Sequence, residues 1–200
     1  MTILFVCSGN TCRSPLAVAA WRALENRVEN EDNSCDTNSS AISDGTRDLK
    51  AAEVESAGLA AWNGQKATGH TLEVARSWGV DLSGHRARGL STRLLRRADL
   101  IVTMTEEQTA AVRAHFGLPE GKVVPLGYFD ESSSSHEETV QQRLTDLLDS
   151  VENDEDPWHG PVHIADPYGG SLEAYESCAQ QIRRAVTGLR RALREGEIVL

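Results

Sequence analysis

Cys7 and Arg13 flank the five residues Ser8-Gly9-Asn10-Thr11-Cys12, with Ser14-Pro15 directly after them. A thiol and a guanidinium at this spacing can work on one phosphoryl group. The thiolate attacks phosphorus, and the guanidinium grips two of its oxygens in bidentate fashion. Gly9 and Asn10 tolerate the unusual backbone dihedrals of a tight cradle whose amides converge on an anion. Pro15 suits the first turn of a helix, and the partial positive charge at that helix start favours both a bound phosphate dianion and a thiolate at Cys7. Such a pair of residues also arises by chance, and a buried structural cysteine at a strand end is the bland alternative. Agreement among the preceding strand, the Gly-Asn pair, the Ser-Pro pair and the helical run at 16–24 favours the nucleophile loop.

Positioning that loop requires a sheet edge. Short apolar runs at 3–6, 54–57, 100–104 and 123–126 read as buried strands. Helical spacing predicts helices at 15–25, 70–78, 106–116, 137–151 and 172–193. The last is the clearest: Tyr175, Ile182, Val186, Leu189 and Leu193 share one face, Ser171 is placed to cap, and arginines crowd the later turns. The alternation predicts an α/β fold whose strand-to-helix loops gather at one sheet edge, where ligands bind.

The 200 residues, 40% of them hydrophobic, suffice for one buried core, and a single domain over 1–200 is expected. A formal charge of −10 argues against nucleic acid or an anionic membrane as partner and favours basic-flanked substrates. No apolar run is long enough for a membrane span, and residues 1–6 are too short for a secretory signal, so a cytoplasmic location is expected. Cys7, Cys12, Cys35 and Cys178 are too few and scattered for a disulfide scaffold. Residues 26–53 and 130–163 are polar and read as two insertions; the acidic run 152–156 reads as a solvated loop. His159 and His163 are separated by Pro161, which argues against a helical metal pair, and no metal is predicted.

Displacing phosphate from a poor leaving group needs a proton donor. Asp166, in Asp166-Pro167-Tyr168-Gly169-Gly170, is the candidate general acid, with Tyr168 as an aromatic wall and the glycines letting the loop bend over a pocket. Asp-Pro alone is a common turn dipeptide and would otherwise read as structural.

The loop at Cys7 to Pro15, Ser56-Ala57-Gly58, Gly84-His85-Arg86-Ala87-Arg88, the run from Ala98 to Thr105 and Asp166-Pro167 stand in the order seen in low-molecular-weight protein tyrosine phosphatases. The resemblance spans nearly the whole chain apart from the two polar segments. Three features resemble the bacterial protein-arginine phosphatase branch: Thr11 where isoleucine is usual, Met104-Thr105 where Met-Asp is usual, and one aromatic before Gly-Gly after Asp166-Pro167. That likeness runs on through Ser171-Leu172-Glu173-Ala174-Tyr175.

The resemblance implies a four-stranded parallel sheet flanked by helices. It also implies a protein phosphatase that needs no metal or cofactor and works in two steps through a phosphocysteine at Cys7. Arg13 and the amides of Ser8, Gly9, Asn10, Thr11 and Cys12 would stabilise the transferring group, and Asp166 would protonate the leaving group and then activate water. Ser14 would hydrogen-bond the Cys7 sulfur, Asn10 would brace the loop, and by family analogy His85 would support Asn10. Trp62 resembles the family's aromatic at the cleft rim, although a tryptophan near a strand end is often simply core. Cys12 matches a family cysteine that forms a reversible disulfide with the nucleophile, and a small packing residue is the alternative.

Thr11 decides the substrate expectation. A hydroxyl and methyl at the pocket floor can orient a polar phosphoguanidinium, where isoleucine would offer only apolar packing to an aromatic ring. Asp166 could hold a guanidinium flanked by the Tyr168 ring. Phosphoarginine in proteins is therefore the expected substrate, with phosphotyrosine as the alternative. Arsenate reduction lacks the relay cysteines it needs near mid-chain, and an inactive phospho-binding module would normally have lost Cys7 or Asp166.

Overall fold

The computed structural model describes residues 1–32, 49, 52–119, 121–130, 163–196 and 198. Four strands, β1 (Thr2–Cys7), β2 (Glu53–Gly58), β3 (Leu100–Thr103) and β4 (Val123–Pro125), form one parallel sheet in the order β2-β1-β3-β4. The strands lie where the apolar runs placed them. β1 is central and apolar on consecutive residues because both of its faces are covered. Ile3 and Phe5 join Leu100, Val102 and Val124 in a core shared with α1 (Arg13–Asp32) and α5 (Leu172–Glu195). Leu4 and Val6 face the other way, onto Leu95 of α3 (Thr92–Arg97) and Val112 of α4 (Glu106–Phe116). The chain therefore leaves β1 toward one face and β3 toward the other. The crevice between those two strand ends is the topological switch point where ligands bind in open α/β sheets.

α1 runs on to Asp32, past the expected end at 25. The helix continues because no glycine or proline stops it there, although the polarity from Asn26 onward gave no sign of it. At the other end of segment 26–53, Leu49 is buried in the main core and Glu53 already belongs to β2. α2 (Gly69–Ser77) and α4 follow the expected helices closely. α3 and a 3₁₀ turn at Leu126–Phe129 were not foreseen, being too short to show periodicity. The expected helix 137–151, the acidic run 152–156, Cys35 and His159 lie outside the described residues.

The final helix begins as its sequence indicates: the Ser171 side chain accepts from the Ala174 N–H, and Gly196 closes the helix in the left-handed region at φ 75°. α5 is tied to α1 through Arg190, which stacks 4.5 Å from the Trp21 ring centroid and lies 3.6 Å from Glu25. It is tied to the 3₁₀ turn through a bidentate pair between Arg184 and the buried Asp130, both contacts 3.1 Å.

Gly58, at the end of β2 opposite Cys7, is required by space. A Cβ there would sit 2.7 Å from the Ser8 carbonyl oxygen and 2.9 Å from the Asn10 nitrogen. Gly58→Ala is expected to cost about 2 kcal/mol through this overpacking, seen as a lower urea midpoint with unchanged slope. An unmoved midpoint would contradict the close approach.

Candidate active site

Residues 8–12 wrap round the end of β1 before α1 begins at Arg13. The turn is made possible by Asn10, the sole non-glycine residue with positive φ (55°) among those described. Asn10 is also the brace. Its side-chain amide donates to Ser14 Oγ at 2.9 Å, its Oδ1 accepts from the Arg88 N–H at 3.0 Å, and its backbone carbonyl accepts from His85 Nε2 at 2.7 Å. The Cys7 sulfur receives the Asn10 N–H at 3.3 Å and lies 3.0 Å from Ser14 Oγ. Two groups able to donate thus point at the sulfur, which fixes its position at the mouth of the loop.

His85 is half-buried, and that burial, with Arg88, Arg86 and Arg22 nearby, holds its pKa below the usual value against the upward pull of the Asn10 hydrogen bond. The folded chain thus binds this proton less readily than the unfolded chain does. The stability it contributes is complete above the ordinary value of 6.5 and is lost as pH falls through the lower folded value. Urea titrations between about pH 8 and about pH 5 should show falling stability, less steeply in His85→Gln. Equal slopes in the two proteins would remove His85 from the account.

Arg13 is 3% exposed. Its Nη1 donates to the Ile164 carbonyl at 3.1 Å, and its Nη2 reaches both Ser8 Oγ, at 3.2 Å, and the Asp166 carboxylate. Its Nε is buried without a hydrogen-bond partner. A buried donor of this kind costs about 1–3 kcal/mol until something accepts from it, so a second oxygen of a bound anion is the natural ligand. Asp166 is oriented in turn by the Tyr168 N–H at 3.1 Å. Gly169 takes φ 79°, turning the chain into the Ser171 cap of α5.

Cys7, Ser8, Thr11, Arg13, Asp166 and Tyr168 all line one cavity of about 250 Å³. That volume suits the head of a phosphorylated side chain better than a cofactor. A larger cavity of about 680 Å³ is lined by His85, Arg86 and Arg88 but by none of the residues 7–13, so the chemistry lies in the smaller one. Trp62, 82% exposed, is not part of the smaller cavity's wall; Ala60 and Gln65 represent that loop instead. Cys12 is buried with its sulfur 3.3 Å from the Tyr175 hydroxyl and 3.7 Å from Thr68 Oγ1. Burial and the Cys12 contact push the Tyr175 hydroxyl up to about 12, so it stays protonated. Burial likewise pushes the Cys178 thiol up to about 12, which leaves it inert. Among the described residues no group of three His, Cys, Asp or Glu could hold a metal ion. No described helix is long and apolar enough to cross a membrane.

The sequence reading missed Gln108, whose side chain joins the start of α4 to Ser8. Its signal was present: Thr105-Glu106-Glu107-Gln108 has the capping-box pattern, and the Thr105 side chain does accept from the Gln108 N–H. Thr105 therefore says little about substrate, since threonine and the aspartate usual in the tyrosine phosphatases are both good helix caps.

A thiol and an arginine on a strand-to-helix loop at the switch point, faced by a carboxylate, have the architecture of the small cysteine-based phosphatases. The low molecular weight phosphotyrosine protein phosphatase family matches residues 41–145. The probable low molecular weight protein-tyrosine-phosphatase EpsP of Ralstonia solanacearum is 31% identical over 185 residues, 92% of this chain and 90% of that protein. The protein-arginine-phosphatase of Bacillus subtilis is 27% identical over 195 residues, 98% of each chain. A solved YwlE arginine phosphatase, a cysteine-to-serine mutant whose active-site serine is phosphorylated, superposes with a TM-score of 0.67 at 25% identity, covering 98% of this chain and 97% of that one. The chain belongs to the low molecular weight phosphotyrosine protein phosphatase family and is a cysteine-based hydrolase of phosphorylated proteins.

Proposed function

We propose that the chain, as one phosphatase domain over 1–200, removes phosphate from phosphoarginine in proteins. The observation that carries this reading is Thr11: the residue is 4% exposed and lies in the wall of the cavity, where an isoleucine would present only hydrocarbon. The kinship to a protein-arginine-phosphatase over nearly the whole chain supports it. Kinship to proteins named tyrosine phosphatases is as strong, which makes phosphotyrosine the competing outcome of the test.

In this reading the incoming phosphoryl group takes the place of Asp166 on Arg13 and satisfies the unpartnered Nε. The Cys7 thiolate attacks phosphorus; the S–P bond forms as the P–N bond breaks. Asp166 passes its proton to the departing guanidine nitrogen, while Arg13 and the loop amides hold the three equatorial oxygens. Asp166 then takes a proton from water, whose oxygen attacks phosphorus and expels the Cys7 sulfur. Ser14 Oγ, 3.0 Å away, stabilises that leaving thiolate. Cys12, whose sulfur otherwise rests against the Tyr175 hydroxyl and Thr68, would act as a redox partner of Cys7 when a peroxide oxidant takes two electrons from the pair and a disulfide closes between them.

Phosphate release from a phosphoarginine peptide and a phosphotyrosine peptide, measured side by side with Cys7→Ser as blank, tests the substrate. Preference for phosphoarginine is expected, and preference for phosphotyrosine overturns it. Thr11→Ile should shift the ratio of the two rates toward the aryl phosphate by about tenfold, the scale of one misplaced pocket group. An unchanged ratio would show that Thr11 does not select.

A further inference from the structure

Ser8 Oγ is held between two groups that can only donate. Arg13 Nη2 lies 3.2 Å from it and has no acceptor capacity. Gln108 Nε2 also lies 3.2 Å from it. The Gln108 amide could in principle be turned over, but its Oε1 accepts the Met104 N–H at 3.0 Å, and a backbone N–H has no other role to offer. The oxygen end is therefore fixed toward Met104 and the NH₂ end toward Ser8. With both lone pairs of Ser8 Oγ engaged, its own proton must point elsewhere, and Ser8 lines the cavity beside Cys7. Gln108 itself is only 9% exposed, so water does not easily replace it.

We propose that Gln108 is a positioning residue that makes the Ser8 hydroxyl an obligate hydrogen-bond donor to the substrate's phosphoryl oxygen. This rests on the reading of residues 7–13 as a phosphate cradle. The loop amides and Arg13 are donors already, so the cavity gains one more donor from a side chain that could otherwise rotate and accept. The contact exists as soon as phosphate binds and persists in the transition state. Its loss should appear mainly in KM and in inhibition by inorganic phosphate, and much less in kcat.

The experiment measures KM and kcat on an aryl phosphate, inhibition by inorganic phosphate, and melting temperature. The proteins are wild type, Ser8→Ala, Gln108→Met and the double variant. Each single change should raise KM and the phosphate inhibition constant by about tenfold, as for a lost hydrogen bond to a charged group, with kcat within about threefold. The double variant should be no worse than either single one. A Ser8→Ala protein that binds phosphate like wild type, or single effects that multiply in the double variant, would overturn the proposal. Gln108→Glu guards against a folding failure, because it keeps the acceptor for the Met104 N–H while it withdraws the donor from Ser8. Its cost should be clearly smaller in a Ser8→Ala background than in wild type, and an equal cost would assign the effect to charge alone. Wild-type protein that neither hydrolyses the aryl phosphate nor is inhibited by phosphate would instead bring down the cradle reading itself.

Discussion

Cys7→Ser is expected to lower kcat by roughly four orders of magnitude or more while leaving the fold in place. Cys7 is 2% exposed, and its sulfur lies between the Asn10 N–H and Ser14 Oγ. Neither contact can take a proton from a serine hydroxyl, which therefore remains a weak nucleophile. The substitution removes volume without adding any, so the melting temperature should move by only a few degrees. Rapid acid quench of the wild type during turnover should leave phosphate on Cys7, detectable by peptide mass. A Cys7→Ser protein retaining more than about a tenth of the activity would refute the nucleophile assignment, and quenched wild type without phosphocysteine would refute the two-step route.

Asp166→Asn is expected to reduce turnover of phosphoarginine by about 10²–10⁴-fold, the range of a lost general acid. The loss should be much smaller on an aryl phosphate whose phenol leaves readily, because that step needs little protonation. A uniform loss on both substrates would mean instead that Asp166 acts by holding Arg13, to which it is paired. The two roles are separable because an asparagine can still hydrogen-bond near the guanidinium but cannot deliver a proton.

How far the sequence specified these elements varies with the kind of signal. The helix expected at 106–116 matches Glu106–Phe116 because both ends are marked: Thr105 caps the start, and Gly117 adopts the left-handed conformation at φ 58° after the end. The first helix runs past its expected end because residues 26–32 carry no such stop, and polarity alone does not separate helix from loop. Cys7, Arg13 and Asp166 were legible as chemistry-bearing types in two loops, and the structure brings them to one cavity. Trp62, named for its likeness to a rim aromatic, is exposed and is not among the residues lining that cavity. Contacts such as Gln108 to Ser8 or Arg88 to Asn10 join single polar residues across elements, and no local period announces them.

Arg13 and Asp166 meet across 153 positions of sequence, and Cys12 meets Tyr175 across 163. A ribosome adding about 5–20 residues per second exposes the Cys7 loop many seconds before it makes Asp166. Early in that interval β1 also lacks its neighbour β3, and throughout it the loop lacks both its carboxylate and the α5 packing that fixes α1. The nascent chain therefore carries a thiol without the proton donor that would let it turn over poor leaving groups. Turnover of poor leaving groups thus waits for the end of chain growth, when Asp166 and Tyr168 complete the cavity wall and α5 packs against α1.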